Sequence, residues 1–260
     1  MKKTILLAIV FVVALSVQSL FAGEIQKIRI GTEGAYPPFN YIDKSGALAG
    51  FDIDIANALC EAAGVECEFV TQDWDGIIPG LIAKKYDCII ASMSITAERE
   101  KKVDFTKKYY QTPVRCVASA KDTLDLFLNG IDGRTIGVQR GVVGANLARA
   151  KFGDVVQIKA YATQDEANMD LASGRVDMVC ADSVILQTGF LDTKEGQGFV
   201  FTGPSFSDEK YLGKGIGIAV RDGDDALRTL LNNAIDKIRA NGVYKKINNQ
   251  YFDFDVYGAE

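Results

Sequence analysis

The sequence predicts an α/β protein built as two lobes, and three observations carry that prediction. Strand-like and helix-like runs alternate along nearly the whole chain, which implies layered α/β units with mostly parallel sheets. One strand-and-helix unit occurs twice: Leu81, five residues, Asp87, an apolar run and Ser92 are echoed by Leu171, five residues, Asp177, an apolar run and Asp182. Finally, two extended segments, YYQTPVRCVASA and YLGKGIGIAV, stand where a linker would be expected. Two crossings mean that the C-terminal segment returns to complete the first lobe, a hinge arrangement suited to opening and closing.

The elements follow in order. KIRIGTE has the composition of a strand. FDIDIANALCEAAG is a helix with acids in its first turn and Gly64 as its stop. CEFVTQ is a strand, GIIPGLIAKK a helix and DCIIAS a strand. After Asp122 the rhythm restarts with a helix over TLDLFLN and a strand over RTIGVQ. Helix VVGANLARAKF, strand VVQIKAY, helix QDEANMDLAS, strand VDMVCA and helix SVILQTGFL come next. GIGIAV is a strand, DDALRTLLNNAIDKIRANG a long amphipathic helix stopped by Gly242, and VYKKINNQYF a short final helix.

Residues 1–22 stand apart. Lys2 and Lys3 precede an apolar stretch ending in small Ala22, the pattern of a secretory leader. The mature chain is therefore expected to be exported. The formal net charge is −5, and removing the two leader lysines takes it to −7, a poor balance for general nucleic-acid binding. The 260 residues include no histidine, which excludes histidine-based triads and general bases and most zinc sites. No metal and no cofactor is expected. Among the five cysteines, Cys60 and Cys67 bracket a helix end and a turn and are expected to form a disulfide in an oxidising compartment. Cys88, Cys116 and Cys180 lie in apolar runs and are expected to be buried small hydrophobes.

Candidate site residues cluster at strand ends, where open α/β sheets bind ligands. In SMSITAERE, Thr96 is a good cap for a short helix AEREKK, and Arg99 is either a solvated helix residue or a bidentate grip on a carboxylate, with Ser92 and Ser94 beside it. Asp182 either caps the helix that follows or holds an ammonium. Glu33, Tyr36 and Trp74 are either packed loop residues or a pocket for a cationic side chain, held by charge and by aromatic faces. GVQRGVVGAN offers backbone N–H groups at a helix start.

Taken together, GFDIDIANALCE, DWDGIIPGL, SMSITAERE, GRVDMVCAD and GVYKKINNQYFDF resemble the periplasmic binding proteins of polar amino-acid ABC transporters, the lysine/arginine/ornithine-, histidine- and opine-binding group. The likeness spans essentially the whole mature chain. It implies a type II periplasmic-binding-protein fold with a two-strand hinge and the ligand in the interlobe cleft. The lobes would be residues 23–111 plus 214–260 and residues 112–213. It also implies a monomer in the periplasm that binds a free amino acid and delivers it to the permease subunits of an ABC transporter.

Position by position, the resemblance makes Arg99 the carboxylate clamp, with Ser94 assisting and Ser92 a strand-end contact. Asp182 takes the α-ammonium, Tyr36 and Trp74 sandwich the side chain, and Glu33 is the acidic position of basic-ligand members. The chain departs from the pattern at Val142 and Val143, where a Ser or Thr is usual, so only the Val143 backbone N–H remains to donate. Ala91 also replaces a common serine. Asp182 favours a free ammonium, hence an ordinary basic amino acid (arginine, lysine, ornithine or histidine) over an opine. The rival from another class is a cyclohexadienyl-dehydratase-like enzyme on the same scaffold.

Overall fold

A computed structural model describes residues 25–122 and 130–258. The expected leader and the helix expected over TLDLFLN lie outside the described residues. The first lobe opens with β1 (Lys27–Thr32), a small meander of β2 (Ala35–Tyr36), β3 (Asn40–Ile42) and β4 (Leu48–Ala49), then α1 (Phe51–Ala63), β5 (Glu66–Thr71), α2 (Trp74–Ile82), β6 (Cys88–Ile89) and β7 (Val103–Tyr110). The second contains β8 (Val114–Ser119), β9 (Thr135–Gln139), α3 (Val143–Phe152), β10 (Gln157–Tyr161), α4 (Gln164–Ala172), β11 (Met178–Asp182), α5 (Ser183–Leu186), β12 (Phe199–Phe206) and α6 (Glu209–Leu212). The chain then returns through β13 (Ile216–Arg221), α7 (Asp225–Ala240) and α8 (Val243–Tyr251).

Two five-stranded sheets result, ordered β5-β1-β6-β13-β7 and β10-β9-β11-β8-β12. Each begins with three parallel strands and ends with two antiparallel pairings, so the sheets are mixed rather than mostly parallel. The cause is the exchange between lobes. The fourth strand of each sheet, β13 or β8, enters directly from a crossing and runs against its neighbours.

The internal echo is physical. Asp87 accepts from the Arg29 N–H at 3.0 Å and pairs with the Arg29 side chain at 2.9 Å. Asp177 accepts from the Thr135 N–H at 2.7 Å and pairs with Arg134 at 3.0 Å. Each aspartate anchors the foot of its strand to the neighbouring parallel strand. The other ends, Ser92 and Asp182, face the space between the lobes.

Local chemistry fixes the helices. Gly64 caps α1 in the left-handed region at φ 72°. Thr163 and Glu166 form a capping box on α4. The turn after Thr96 is shorter than expected: a single 3₁₀ turn over Arg99–Lys101, with the Arg99 N–H donating to Thr96 Oγ1 at 3.3 Å.

The first core is aromatic, with Phe39, Phe51, Tyr109, Tyr110 and Phe252 in mutual ring contact. Inside it lies one carboxylate. Asp52, fully buried in the first turn of α1, accepts from Asn40 Nδ2 at 2.8 Å, Ser92 Oγ at 2.9 Å and Tyr109 OH at 2.7 Å. Burial raises its pKa, and the three donors oppose that rise. This network holds Ser92 at φ 53°, a left-handed conformation that costs a non-glycine residue about 1–2 kcal/mol.

The expected Cys60–Cys67 disulfide is present. The expectation for Cys116 and Cys180 is corrected: they face one another across the antiparallel β8–β11 pair and form a second disulfide, with Cα atoms 4.1 Å apart. Their sequence separation of 64 hides a pairing made only by the sheet. Cys88 is buried and unpaired.

Two outcomes follow. Without reductant, the denatured mature protein takes up one equivalent of thiol alkylator, at Cys88, and reduction exposes four more thiols by intact mass. Asp52→Ala strands three buried donors and lowers unfolding free energy by about 3–5 kcal/mol, as measured by urea titration.

Candidate functional site

A cleft of about 680 Å³ runs between the lobes. Glu33, Tyr36, Trp74, Ser92, Ser94, Arg99, Val143 and Asp182 all line it, so the fold gathers every residue singled out from the sequence. Elements of both lobes place them. Glu33 follows β1, Tyr36 is in β2, and Trp74 opens α2. Val143 opens α3, and Asp182 ends β11.

Arg99 is positioned by the return crossing. The Ile95 N–H donates to Gly215 O at 2.8 Å, the Lys214 N–H to Ile95 O at 2.9 Å, and the Gly217 N–H to Met93 O at 3.0 Å. Only glycine fits at 213: φ is +79°, and a Cβ there would stand 2.0 Å from Ile95 O. Thus the stretch carrying Ser94 is zipped against the hinge strand. From it Arg99 Nη1 reaches Ser94 O and Nη2 reaches Gly141 O, both at 2.9 Å. The guanidinium carbon lies 5.2 Å from the centre of the Trp74 ring. No carboxylate pairs with this guanidinium among the described residues, and burial pulls its pKa down to about 10. It remains cationic at neutral pH.

Beside it, Val142–Gly144 form the start of α3 at the cleft wall. The first-turn N–H groups of a helix have no intrahelical acceptor and carry the positive end of its dipole. The side-chain hydroxyl absent at Val142 and Val143 leaves the backbone as the donor here.

Asp182 lines the cleft and is also a helix cap. It caps α5, accepting from the Val184 N–H at 2.8 Å, and its other oxygen accepts from Thr112 Oγ1 at the outward crossing. Burial nevertheless raises its pKa to about 6. Ser92 lines the cleft, but its hydroxyl donates to Asp52.

At the other end, burial lifts the Glu33 carboxyl to about 7, opposed by a hydrogen bond from Gln139 Nε2 at 2.7 Å. Next to Gln139, Arg140 pairs with Asp75 at 2.7 Å. The three consecutive residues Gln139, Arg140 and Gly141 therefore each reach across to the first lobe. Gln139 and Thr112 were missed in the sequence. Gln139 reads there as an ordinary strand residue, and only the facing of the lobes shows otherwise.

The cleft thus holds an uncompensated cation beside helix amides and two carboxylates, Asp182 and Glu33, with Tyr36 and Trp74 on the same lining. Residues 28–254 match the family model of bacterial extracellular solute-binding proteins, family 3. The chain is 50% identical to the L-arginine-binding protein of Pseudomonas aeruginosa over all of both chains. It is 39% identical to the lysine/arginine/ornithine-binding periplasmic protein of Escherichia coli, covering 99% of this chain and 100% of that one. A solved ancestral arginine-binding protein bound to arginine superposes with a TM-score of 0.81 at 35% identity, covering 88% of this chain and 99% of the other. With its two mixed sheets and interlobe cleft, the chain belongs to the family 3 bacterial extracellular solute-binding proteins.

Proposed function

We propose that this protein binds one free basic amino acid in the periplasm and presents it, by hinge closure, to the permease of an ABC transporter. The observation that carries this reading is the set of charges lining one cleft: the cation Arg99 and two carboxylates, Asp182 and Glu33, both raised by burial. A zwitterion with a cationic side chain supplies the complementary charges. The relatives named above bind arginine, lysine or ornithine, which supports the same ligand class.

In this reading Arg99, the Ser94 hydroxyl and the Val143 N–H take the α-carboxylate. Asp182 takes the α-ammonium, and Ser92 lends a polar contact at the strand end. Glu33 takes the distal cation, with Tyr36 and Trp74 on its flat faces. The moving bodies are residues 23–111 plus 214–260 and residues 112–213, a division supported by which sheet each strand joins. Residues of both lobes line the cleft, so a ligand that touches both gains contacts only when the lobes meet, and it shifts the population toward closure. Asp182 as a carboxylate suits a free ammonium, so an ordinary amino acid ranks above an N-substituted opine in this reading.

A thermal-shift panel tests the class: arginine, lysine, ornithine and histidine should raise the melting temperature, and silence from all four sinks the reading. Arg99→Ala should remove binding of every amino acid in calorimetry, because it removes the carboxylate partner; tight residual binding counts against the clamp.

The pH dependence has a definite sign. A bound cation favours the ionised form of Glu33 and Asp182, so binding lowers their pKa values and releases protons where the unliganded groups still hold them. Affinity for arginine should therefore be highest above about 7 and fall as pH drops through about 6, by up to tenfold per unit for each group. Calorimetry in two buffers of different ionisation heat reads the released protons; proton uptake on binding would contradict it.

A further inference from the structure

Arg140 lies in the turn between β9 and α3, and Asp75 in the first turn of α2, elements that belong to different sheets. Arg140 Nη2 stands 2.7 Å and Nε 3.0 Å from one oxygen, Asp75 Oδ2. The side chains are 47% and 53% exposed, so the pair sits at the rim in contact with water. Neither residue lines the cleft, and the pair joins the lobes without touching what the cleft contains. The turn around it is firmly based. The Arg140 N–H donates to Tyr161 O at 2.9 Å. Gly141, at φ +67°, has the Trp74 indole against it, with Nε1 only 3.3 Å from where a Cβ would stand. The guanidinium is therefore presented to Asp75 from a fixed backbone.

Carboxylates of its own lobe do not compete for Arg140. Asp165, Glu166 and Asp170 surround a hollow that Arg140 also lines. Glu166 Oε2 accepts from the Ala162 and Thr163 N–H groups, and Asp170 is engaged by Lys159, Tyr161 and Arg175. Among the described residues, only Asp75 comes within ion-pair distance of the Arg140 guanidinium. We propose that Arg140 and Asp75 form a latch between the lobes: an ion pair outside the ligand's reach that slows release of the bound amino acid and leaves its capture nearly unchanged. This rests on the reading that the cleft takes a basic amino acid, and concerns how long that amino acid is kept, not which one it is.

The pair exists only while the turn after β9 faces α2. Separating the lobes breaks it, whereas a ligand entering separated lobes arrives before it has formed. Its stabilisation therefore adds to the barrier for escape and not to the barrier for entry. An exposed pair is worth little, so the expected effect is a small factor that salt screens. Each charge also acts on a cationic ligand at a distance, Asp75 attracting it and Arg140 repelling it. Removing one charge mixes this field effect with loss of the pair. Only the coupling between two substitutions isolates the latch.

Stopped-flow mixing with L-arginine as the probe reads both rates through Trp74, the one tryptophan of the sequence, which lines the cleft and abuts this turn. The slope of the observed rate against arginine concentration gives capture, and the intercept gives release. At low salt, Arg140→Gln and Asp75→Asn should each release arginine about two- to fivefold faster, with capture changed by less than about twofold. The double variant should release no faster than the faster single variant, and Arg140→Lys, which keeps the charge, should release more slowly than Arg140→Gln. At about 1 M salt the intact protein and the variants should converge. Calorimetry should show the same factors in Kd. Additive effects of the two substitutions overturn the latch, as does a change in capture as large as that in release. A pair that matters only to folding would lower the unfolding free energy and leave release unchanged, and that result also overturns it. If the intact protein binds no basic amino acid, the reading of the cleft fails and the latch with it; binding without the coupling overturns the latch alone.

Discussion

One constraint organises the molecule: a half-buried guanidinium is held without a carboxylate on it. Arg99 meets that constraint through two backbone carbonyls and an aromatic face. Ser94 O comes from its own lobe and Gly141 O from the other, so the side chain itself spans the cleft. Carbonyl dipoles and a ring quadrupole offset desolvation only in part, since neither carries a full charge. The strong countercharge is left to whatever enters. A half-buried charge partnered this way contributes little to stability.

Behind Arg99 stands a second buried charge with the opposite arrangement. Asp52 is surrounded by donors from the first meander, from β7 and from Ser92. Its satisfied carboxylate fixes the unusual backbone at Ser92, and that turn aims the following residues along the return crossing. The cleft cation thus follows, along the chain, a turn fixed by a fully buried anion. The two differ in what surrounds them: Asp52 has three donors on it, Arg99 only carbonyls and a ring.

Much of this was legible in sequence, for identifiable reasons. Long elements with strong punctuation, such as α1 ending at Gly64 and α7 ending before Gly242, appear where pattern placed them. The eight proposed contact residues fall on one cleft because strand ends converge there. Less legible were the edge strands. β7 carries Lys107 and Lys108 in its middle, and β12 contains Gly203 and Pro204 within a register shift, so neither shows clean alternation. The second disulfide and Gln139 were hidden for a common reason. Each depends on strands or lobes that meet only in three dimensions, and no local spacing encodes such a meeting.

The two crossings enter the sheets at their fourth strands, not at an edge. β8 is bonded on both sides and tied covalently to β11, and β13 is held between β6 and β7. Neither strand can bend without breaking a ladder on each flank. The two connections, Gln111–Pro113 and Gly213–Gly215, therefore each lead straight into the interior of a sheet, so a load applied at either crossing is shared by the ladders on both flanks rather than carried by one edge.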